Sequence, residues 1–174
     1  MSNYIRPKVS GATIFFTVKL AERGSDMLLR EVDVLRWSVA EVMARKPFKI
    51  DAWVVLPDHL HAIWTLPAND HDFSTRWKEI KTGFSRKVRR IGPRTLSKET
   101  KGEAGLWQRR FWDHHIRSDA DYQGHLAYCW GNPVKHGLVK SAQDWPYSSI
   151  HRDIRLGRVP AEWSGKVPDG AFGE

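Results

Sequence analysis

The chain is 174 residues long and carries 28 Lys or Arg against 20 Asp or Glu, which gives a formal net charge of +8 with neutral histidines. At roughly 100–200 residues per domain the length predicts one compact domain, and the 41% share of hydrophobic residues excludes a wholly disordered chain. A single cysteine, Cys129, excludes a disulfide-stapled secreted scaffold and indicates a reducing compartment.

The chain shows neither a membrane span nor a signal peptide. No stretch approaches the roughly 20 apolar residues that cross a bilayer, and the N-terminal residues lack an apolar segment ending in small residues. We therefore expect a cytoplasmic protein with no membrane partner.

The first predicted element is a strand over residues 12–20, where apolar and polar side chains alternate. Ile14, Phe16 and Val18 share one face and polar side chains take the other, which is the pattern of a half-buried strand. Apolar residues then recur at steps of three and four over residues 27–45, and this spacing predicts an amphipathic helix.

Two apolar runs, residues 48–56 and 60–66, follow this helix and are rich in Val, Ile and Trp. Pro57-Asp58 between them predicts a tight turn, so the two runs are expected to pair as antiparallel strands. Ser74 is a candidate N-cap for the second helix.

The second helix is predicted to close at Gly92-Pro93, and residues 105–116 are predicted to form a further strand. Ser118 and Asp121 have the spacing of a capping box, in which the side chain at the start of a helix pairs with the residue three positions on. They predict the start of a third helix.

The third helix is expected to run to about Gly131, before Asn132-Pro133. The order strand, helix, strand, strand, helix, strand, helix describes an α+β, ferredoxin-like (RRM-like) fold, with helices packed on an antiparallel sheet. We expect one domain, with its core over about 11–140 and a C-terminal extension over about 141–174.

Positive charge is concentrated between Arg76 and Arg110. This window holds 12 basic and three acidic residues, a net charge of +9, and the rest of the chain nets −1. Such a block predicts contact with a phosphate backbone, although a solvated helix face carries similar charge.

His59 and His61 are candidate metal ligands. Side chains at i and i+2 of a strand share a face, so both imidazoles could reach one ion, and imidazole suits several divalent transition metals. On spacing alone, a structural or merely exposed pair is the commoner origin of this pattern.

Tyr128 and Asn132 are spaced i, i+4, which places them on one helix face. Tyrosine can act as a nucleophile and an asparagine carbonyl can bind a metal, but a core tyrosine with a C-terminal cap has the same spacing. In combination, these features make a coherent DNA-cleaving site. A metal polarises a phosphate, a tyrosine attacks it, and a basic surface holds the DNA strand. No Gly-rich phosphate loop is present, so no nucleotide cofactor is expected.

The chain resembles a REP-associated tyrosine transposase, a single-tyrosine member of the HUH endonuclease superfamily. The resemblance covers most of residues 11–165 and is carried by the segments FFTVKL, PFKIDAWVVLPDHLHAIWTLP, GLWQRRFWDHHIR and DYQGHLAYCWGNPVKHGLVK. The tail after Trp145 is similar to the family's C-terminal extension, which can lie near the active site.

The resemblance implies that His59 and His61 bind Mg²⁺ or Mn²⁺, that Asn132 is by position the third ligand, and that Tyr128 is the nucleophile. The implied substrate is single-stranded DNA with REP hairpins, cleaved and rejoined through a 5′-phosphotyrosine intermediate. The implied active form is a monomer.

The basic residues predicted to contact DNA are Arg86, Lys87, Arg89 and Arg90 on the phosphates and Arg109, Arg110, Lys135 and His136 closer to the site. Trp107, Trp112 and Trp130 are candidates for stacking on unpaired bases. Two other functions stay open: a non-catalytic module that binds REP DNA or structured RNA, and a metal-dependent phosphodiesterase that uses water.

Overall fold

Strands and helices follow one another in the predicted order. In the computed structural model, which describes residues 6–88, 105–170 and 172–173, the elements are β1 (Thr13–Lys19), α1 (Met27–Arg30), α2 (Val32–Arg45), β2 (Lys49–Val55), β3 (His59–Thr65), α3 (Phe73–Lys87), β4 (Trp112–His115), α4 (Asp119–Lys135), a 3₁₀ helix (Ala142–Asp144) and α5 (Ile150–Arg155). The C-terminal extension thus adds short helices to the predicted core.

Within the described residues, four strands form one antiparallel sheet in the order β2-β3-β1-β4. The turn predicted at Pro57-Asp58 joins β2 to β3. In the central pair, Lys19 of β1 lies opposite His59 and Thr17 lies opposite His61. The ferredoxin-like α+β architecture is confirmed, and its register places both histidines next to the C-terminal half of β1.

Helices cover both faces of the sheet. α2 and α3 pack on the face that carries Ile14, Phe16 and Val18, and α4 with the C-terminal extension packs on the face that carries Phe15. The prediction of a half-buried β1 is therefore wrong, since the residues between its two ends are all buried. None of the helices in the described ranges is long and apolar enough to cross a membrane.

Two features of the first helices differ from the prediction. The helix expected over residues 27–45 is interrupted at Glu31, whose φ of −109° and ψ of 27° depart from helical values. The N-cap of α3 is Asp72 and not Ser74, because the Asp72 carboxylate accepts a hydrogen bond from the Thr75 backbone N–H at 2.9 Å.

Less strand is present before α4 than predicted. Of residues 105–116, only β4 pairs with β1 over several residues, and a single bridge joins Leu20 to Trp107. The predicted helix end at Gly92-Pro93 lies outside the described residues.

Helix α4 begins as predicted and ends later. Ser118 is its N-cap, and the Ser118 hydroxyl accepts a hydrogen bond from the Asp121 backbone N–H at 3.2 Å. The predicted end near Gly131 is wrong, because the helix continues through Pro133 to Lys135. A proline removes one backbone donor, yet here the packed helix tolerates it. The added turn carries two predicted site residues, Asn132 and Lys135, onto α4.

Candidate active site

The two predicted metal-binding histidines lie side by side on β3. The ring centroids of His59 and His61 are 5.1 Å apart, and both project from the face that α4 covers. Leu60 between them packs in the opposite core, as the strand period requires. His61 is fully buried and His59 is partly buried.

The hydrogen bonds of Thr17 decide which nitrogen of His61 can bind a metal. The Thr17 hydroxyl lies 2.8 Å from His61 Nδ1 and donates its single proton to the Phe172 carbonyl at 2.5 Å. Thr17 must therefore accept from His61 Nδ1, which makes Nδ1 the protonated nitrogen. The lone pair of Nε2 is thereby directed away from Thr17, as in histidines that bind metals.

His59 is oriented in the same way by Asp58. Its Nδ1 lies 2.7 Å from the Asp58 carboxylate, which can only accept, so Nε2 is again the nitrogen that can bind a metal. Burial alone would raise the pKa of Asp58, but hydrogen bonds from His59 and from the Gly24 backbone N–H hold it below its usual value. The carboxylate therefore stays ionised at neutral pH.

One face of α4 runs along both histidines. The Tyr128 ring centroid is 5.1 Å from that of His61, and the His136 centroid is 5.2 Å from that of His59. Asn132 lies between Tyr128 and His136 at steps of four residues, which places all three on one helix face, and it is fully buried.

The donor set of this site fits a small divalent metal. Two imidazole nitrogens, from His59 and His61, and the amide oxygen of Asn132 combine the ligands preferred by transition metals with those preferred by Mg²⁺ and Mn²⁺. Both imidazoles already have the hydrogen-bonded partners that orient metal ligands.

Lys135 lies against the predicted nucleophile. Its Nζ donates to the Tyr128 hydroxyl at 3.1 Å and is 4.7 Å from the centroid of the tyrosine ring. A cation at this distance stabilises a phenolate over the neutral phenol. The sequence pattern had indicated Lys135 only as a DNA contact, because the contact with Tyr128 depends on α4 continuing through Pro133.

The C-terminal tail covers Tyr128. The Phe172 ring stacks on the Tyr128 ring with centroids 3.7 Å apart and planes 14° apart, and Tyr128 is fully buried. The expected proximity of the tail to the site is confirmed. The tyrosine side chain is therefore closed off from solvent in this conformation.

Some of the predicted DNA contacts lie at or near the site. Lys135 and His136 are exposed at the end of α4, next to Tyr128 and His59. Arg109 and Arg110 are exposed in the segment that precedes β4, but Lys81 of α3 donates to the Arg109 carbonyl at 3.4 Å, so this segment lies against the helical layer opposite Tyr128.

The remaining predicted contacts lie elsewhere. Arg86 and Lys87 are exposed at the end of α3, which packs on the opposite face of the sheet from Tyr128. The Lys87 ammonium is 3.7 Å from the ring centroid of Trp37 on α2. Arg89 and Arg90 lie outside the described residues.

Not every residue of the basic block and not every tryptophan is accessible to DNA. Arg76 is 1% exposed and donates to three backbone carbonyls. Trp107 and Trp130 are 6% exposed and belong to the two cores, whereas Trp112 is half-buried. Trp37 was not among the tryptophans predicted to stack on bases, yet it is 42% exposed. Its position off the apolar stripe of α2 could have indicated this exposure from the sequence.

Comparison with known proteins gives full-length matches. No protein-family model matches the chain. The REP-associated tyrosine transposase of Escherichia coli (strain K12) is 45% identical over 174 residues, covering 100% of this chain and 98% of the relative. A Haemophilus influenzae protein provisionally given the same family name is 39% identical over 170 residues, covering 97% and 96%. A solved structure of a REP-associated tyrosine transposase bound to a REP hairpin matches with a TM-score of 0.87 and 45% identity, covering 100% of this chain and 98% of that one.

Proposed function

Because the chain belongs to the REP-associated tyrosine transposases, we propose that it binds REP-hairpin DNA and cleaves and rejoins a single strand of that DNA through Tyr128. The relative solved with a REP hairpin supports the DNA partner. The observation that carries the reaction is the position of Tyr128, with its ring 5.1 Å from that of His61 and its hydroxyl 3.1 Å from Lys135 Nζ. This is the chemistry of the single-tyrosine HUH endonucleases.

The proposed metal, Mg²⁺ or Mn²⁺, would be held by Nε2 of His59, Nε2 of His61 and the amide oxygen of Asn132. When bound, it polarises the scissile phosphate. Thr17 and Asp58 keep both imidazoles in the tautomer that leaves Nε2 as the ligand.

A phenol has a pKa near 10, so the tyrosine needs a nearby positive charge to react as phenolate at neutral pH, and Lys135 supplies one. In the cleavage step Tyr128 releases its proton to solvent, its oxygen attacks the phosphorus, and the bond from phosphorus to the 3′ oxygen breaks; the 3′ oxygen then takes up a proton from solvent and leaves as a free 3′ hydroxyl. In the reverse step a 3′ hydroxyl gives up its proton to solvent and attacks the phosphotyrosine, and Lys135 stabilises the departing phenolate. The phosphotyrosine bond retains the free energy of the phosphodiester, so rejoining needs no nucleotide cofactor.

We propose that the exposed cations around the site hold the DNA backbone. His136 lies beside His59, while Arg109, Arg110, Arg86 and Lys87 extend the basic surface toward the other helical layer. Arg89 and Arg90 remain proposed contacts. The logarithm of the affinity for single-stranded DNA should fall linearly with the logarithm of the salt concentration, with a slope of about 0.7 for each phosphate that the protein neutralises.

The arrangement also supports action as a monomer. The histidines of β3 and the tyrosine of α4 meet within one chain, so a second copy is not needed to complete the proposed site. Light scattering of the protein with its DNA tests this directly.

The deciding experiment is the formation of a covalent adduct. The protein is incubated with single-stranded REP DNA from its own genome, with and without Mg²⁺ or Mn²⁺, and separated on a denaturing gel. We expect a metal-dependent protein–DNA band that disappears in Tyr128→Phe while binding of the hairpin is retained.

Tyr122→Phe is the matched control, because Tyr122 lies on the same helix and its hydroxyl bonds to Asp51 at 3.3 Å, away from the histidines. This variant should still form the adduct. Cleavage without any trapped species would instead indicate a phosphodiesterase that uses water, and binding without cleavage would indicate a non-catalytic module for REP DNA or structured RNA. An adduct that persists in Tyr128→Phe rules out Tyr128 as the nucleophile.

A further inference from the structure

A second group of metal-binding side chains lies beside the proposed active site and takes no part in it. His114 is on β4, and Asp121 and His125 are on α4. Each offers one ligand atom, and the three atoms lie within 4.8 Å of one another. Asp121 and His125 are spaced i, i+4, which puts both side chains on one helix face.

The carboxylate oxygen Oδ1 of Asp121 is the centre of this group. His114 Nε2 lies 3.1 Å from Oδ1, and His125 Nδ1 lies 3.0 Å from it. Ligand atoms bound to a tetrahedral ion at about 2.0–2.1 Å are about 3.3 Å apart. The two distances to Oδ1 are therefore close to those between ligands of one ion.

The second carboxylate oxygen of Asp121 has two partners. His114 Nε2 lies 2.9 Å from Oδ2, slightly closer than to Oδ1, and the Arg117 backbone N–H donates a hydrogen bond to Oδ2 at 3.0 Å. A ligand fixed by a second hydrogen bond is a common feature of metal sites.

Aromatic rings fix the two imidazoles. The His114 and His125 rings are stacked, with centroids 4.6 Å apart and planes 12° apart, and Trp112 stacks on His114. His125 is 7% exposed. Both proposed ligand nitrogens face oxygens that can only accept: His114 Nε2 faces the Asp121 carboxylate, and His125 Nδ1 also lies 2.8 Å from the Asp121 backbone oxygen. Each nitrogen therefore carries its ring's proton in the metal-free protein. An ion can bind only when each of these protons moves to the other nitrogen of its ring.

This group is separate from the pair on β3. The Phe15 ring lies between them, with its centroid 5.5 Å from that of His61 and 4.7 Å from that of His125. An ion bound by one group therefore does not share ligands with an ion bound by the other.

We propose that His114, Asp121 and His125 form a second divalent-metal site that joins β4 to the N-terminal half of α4. Two imidazoles and one carboxylate are ligands of zinc sites with an open fourth position, and this donor set prefers Zn²⁺ to Mg²⁺. The fourth position is left for water or for a phosphate oxygen.

The test counts zinc ions bound by the full-length protein. The protein is treated with a chelator and titrated calorimetrically with Zn²⁺ against a competing chelator of known affinity. The key variant is the double substitution His114→Gln and His125→Asn, because the Gln amide can replace Nε2 and the Asn amide can replace Nδ1 in hydrogen bonds to Asp121. The variant keeps those bonds and loses both imidazole ligands.

We expect the double variant to bind one Zn²⁺ fewer per chain than the wild type. His59→Asn with His61→Asn should leave the second site intact, which separates this inference from the proposed function. His71→Gln, at an exposed histidine outside both groups, is the matched control and should bind as the wild type does.

A double variant that binds as many zinc ions as the wild type would overturn the proposal, and the three side chains would then be a hydrogen-bonded link between β4 and α4 only. If the double variant unfolds, Co²⁺ is added to the wild type and to the His59→Asn, His61→Asn variant instead. Visible absorption bands of tetrahedral cobalt that are present in both proteins support the second site. Absence of these bands from the His59→Asn, His61→Asn variant rejects it.

Discussion

The two faces of the sheet bury different kinds of side chain. Between the sheet and α2 and α3 lie aromatic and aliphatic residues, with the Trp64 and Trp77 rings stacked 4.3 Å apart. Between the sheet and α4 lie His61, Tyr128 and Asn132, all fully buried. The first face is a scaffold, and the second, the reactive face, holds the groups to which we assign the proposed reaction.

Neighbouring residues of the same strands supply both faces. In β3, Leu60 packs in the scaffold core, while His61 next to it faces Tyr128. A slip of one residue in register would exchange the two sets. The scaffold face therefore fixes the register on which the reactive face depends, and substitutions on the two faces should have separable effects.

The largest effect on activity is expected from removing a metal ligand on the reactive face. His61→Asn keeps a donor toward Thr17 at the place of Nδ1 and removes Nε2. Adduct formation should fall by more than about 100-fold, because even the partners that orient ligands are worth about 10–100-fold. The measurement is the initial rate of adduct formation in Mn²⁺, with His71→Asn as the control. A rate within a few fold of wild type would remove His61 from the site.

The largest effect on stability is expected from the scaffold face. Trp77→Ala should lower the free energy of unfolding by about 3–5 kcal/mol, since it leaves a cavity where a buried ring stacked. Urea unfolding measures this loss, and Trp37→Ala, at an exposed tryptophan, should cost about 1 kcal/mol or less. Adduct formation per folded molecule should be unchanged in Trp77→Ala, and a specific loss of activity would contradict the division between the faces.

A smaller effect, in the opposite direction, is expected from the tail. Phe172→Ala removes the ring that stacks on Tyr128 and should increase the initial rate of adduct formation. Weakening the contact between Phe172 and Tyr128 by about 1 kcal/mol raises the fraction of molecules in which Tyr128 is exposed about fivefold. Val167→Ala, in the same tail but packed beside Gly131, is the control. An unchanged or lower rate in Phe172→Ala would show that the tail does not restrict access to the tyrosine.

The smallest effect concerns pH and a tyrosine away from the reactive groups. Burial, and then the charge of Asp51, raise the pKa of Tyr122 to about 12, above the value of about 10 in an unfolded chain. The unfolded state then loses its proton first, so stability should fall as pH rises from about 10 to about 12. Tyr122→Phe should flatten this decline in urea unfolding. An equal decline in both proteins would assign it to other groups.

Local patterns in the sequence predicted most of the fold. The alternation in residues 12–20, the turn at Pro57-Asp58 and the capping box at Ser118 each depend on residues close together in the chain, and each is present in the structure. The prediction failed where an element's environment or its end is set by distant parts of the chain. β1 is buried on both faces because α4 and the extension cover it, and α4 continues through Pro133 because its packing outweighs a missing backbone donor.

The sequence by itself determined that His59 and His61 share a strand face, that Tyr128 and Asn132 share a helix face, and that the chain resembles one family. Only the tertiary structure decided which of these faces meet. Thr17 forms hydrogen bonds with His61, which is 44 residues away in the chain, and with Phe172, which is 155 residues away. The tertiary structure likewise places Arg86 and Lys87 on the layer opposite Tyr128 and gives Arg76 a structural role. Periodicity reports how a segment is shaped, whereas contacts between distant segments depend on how the layers pack around the sheet.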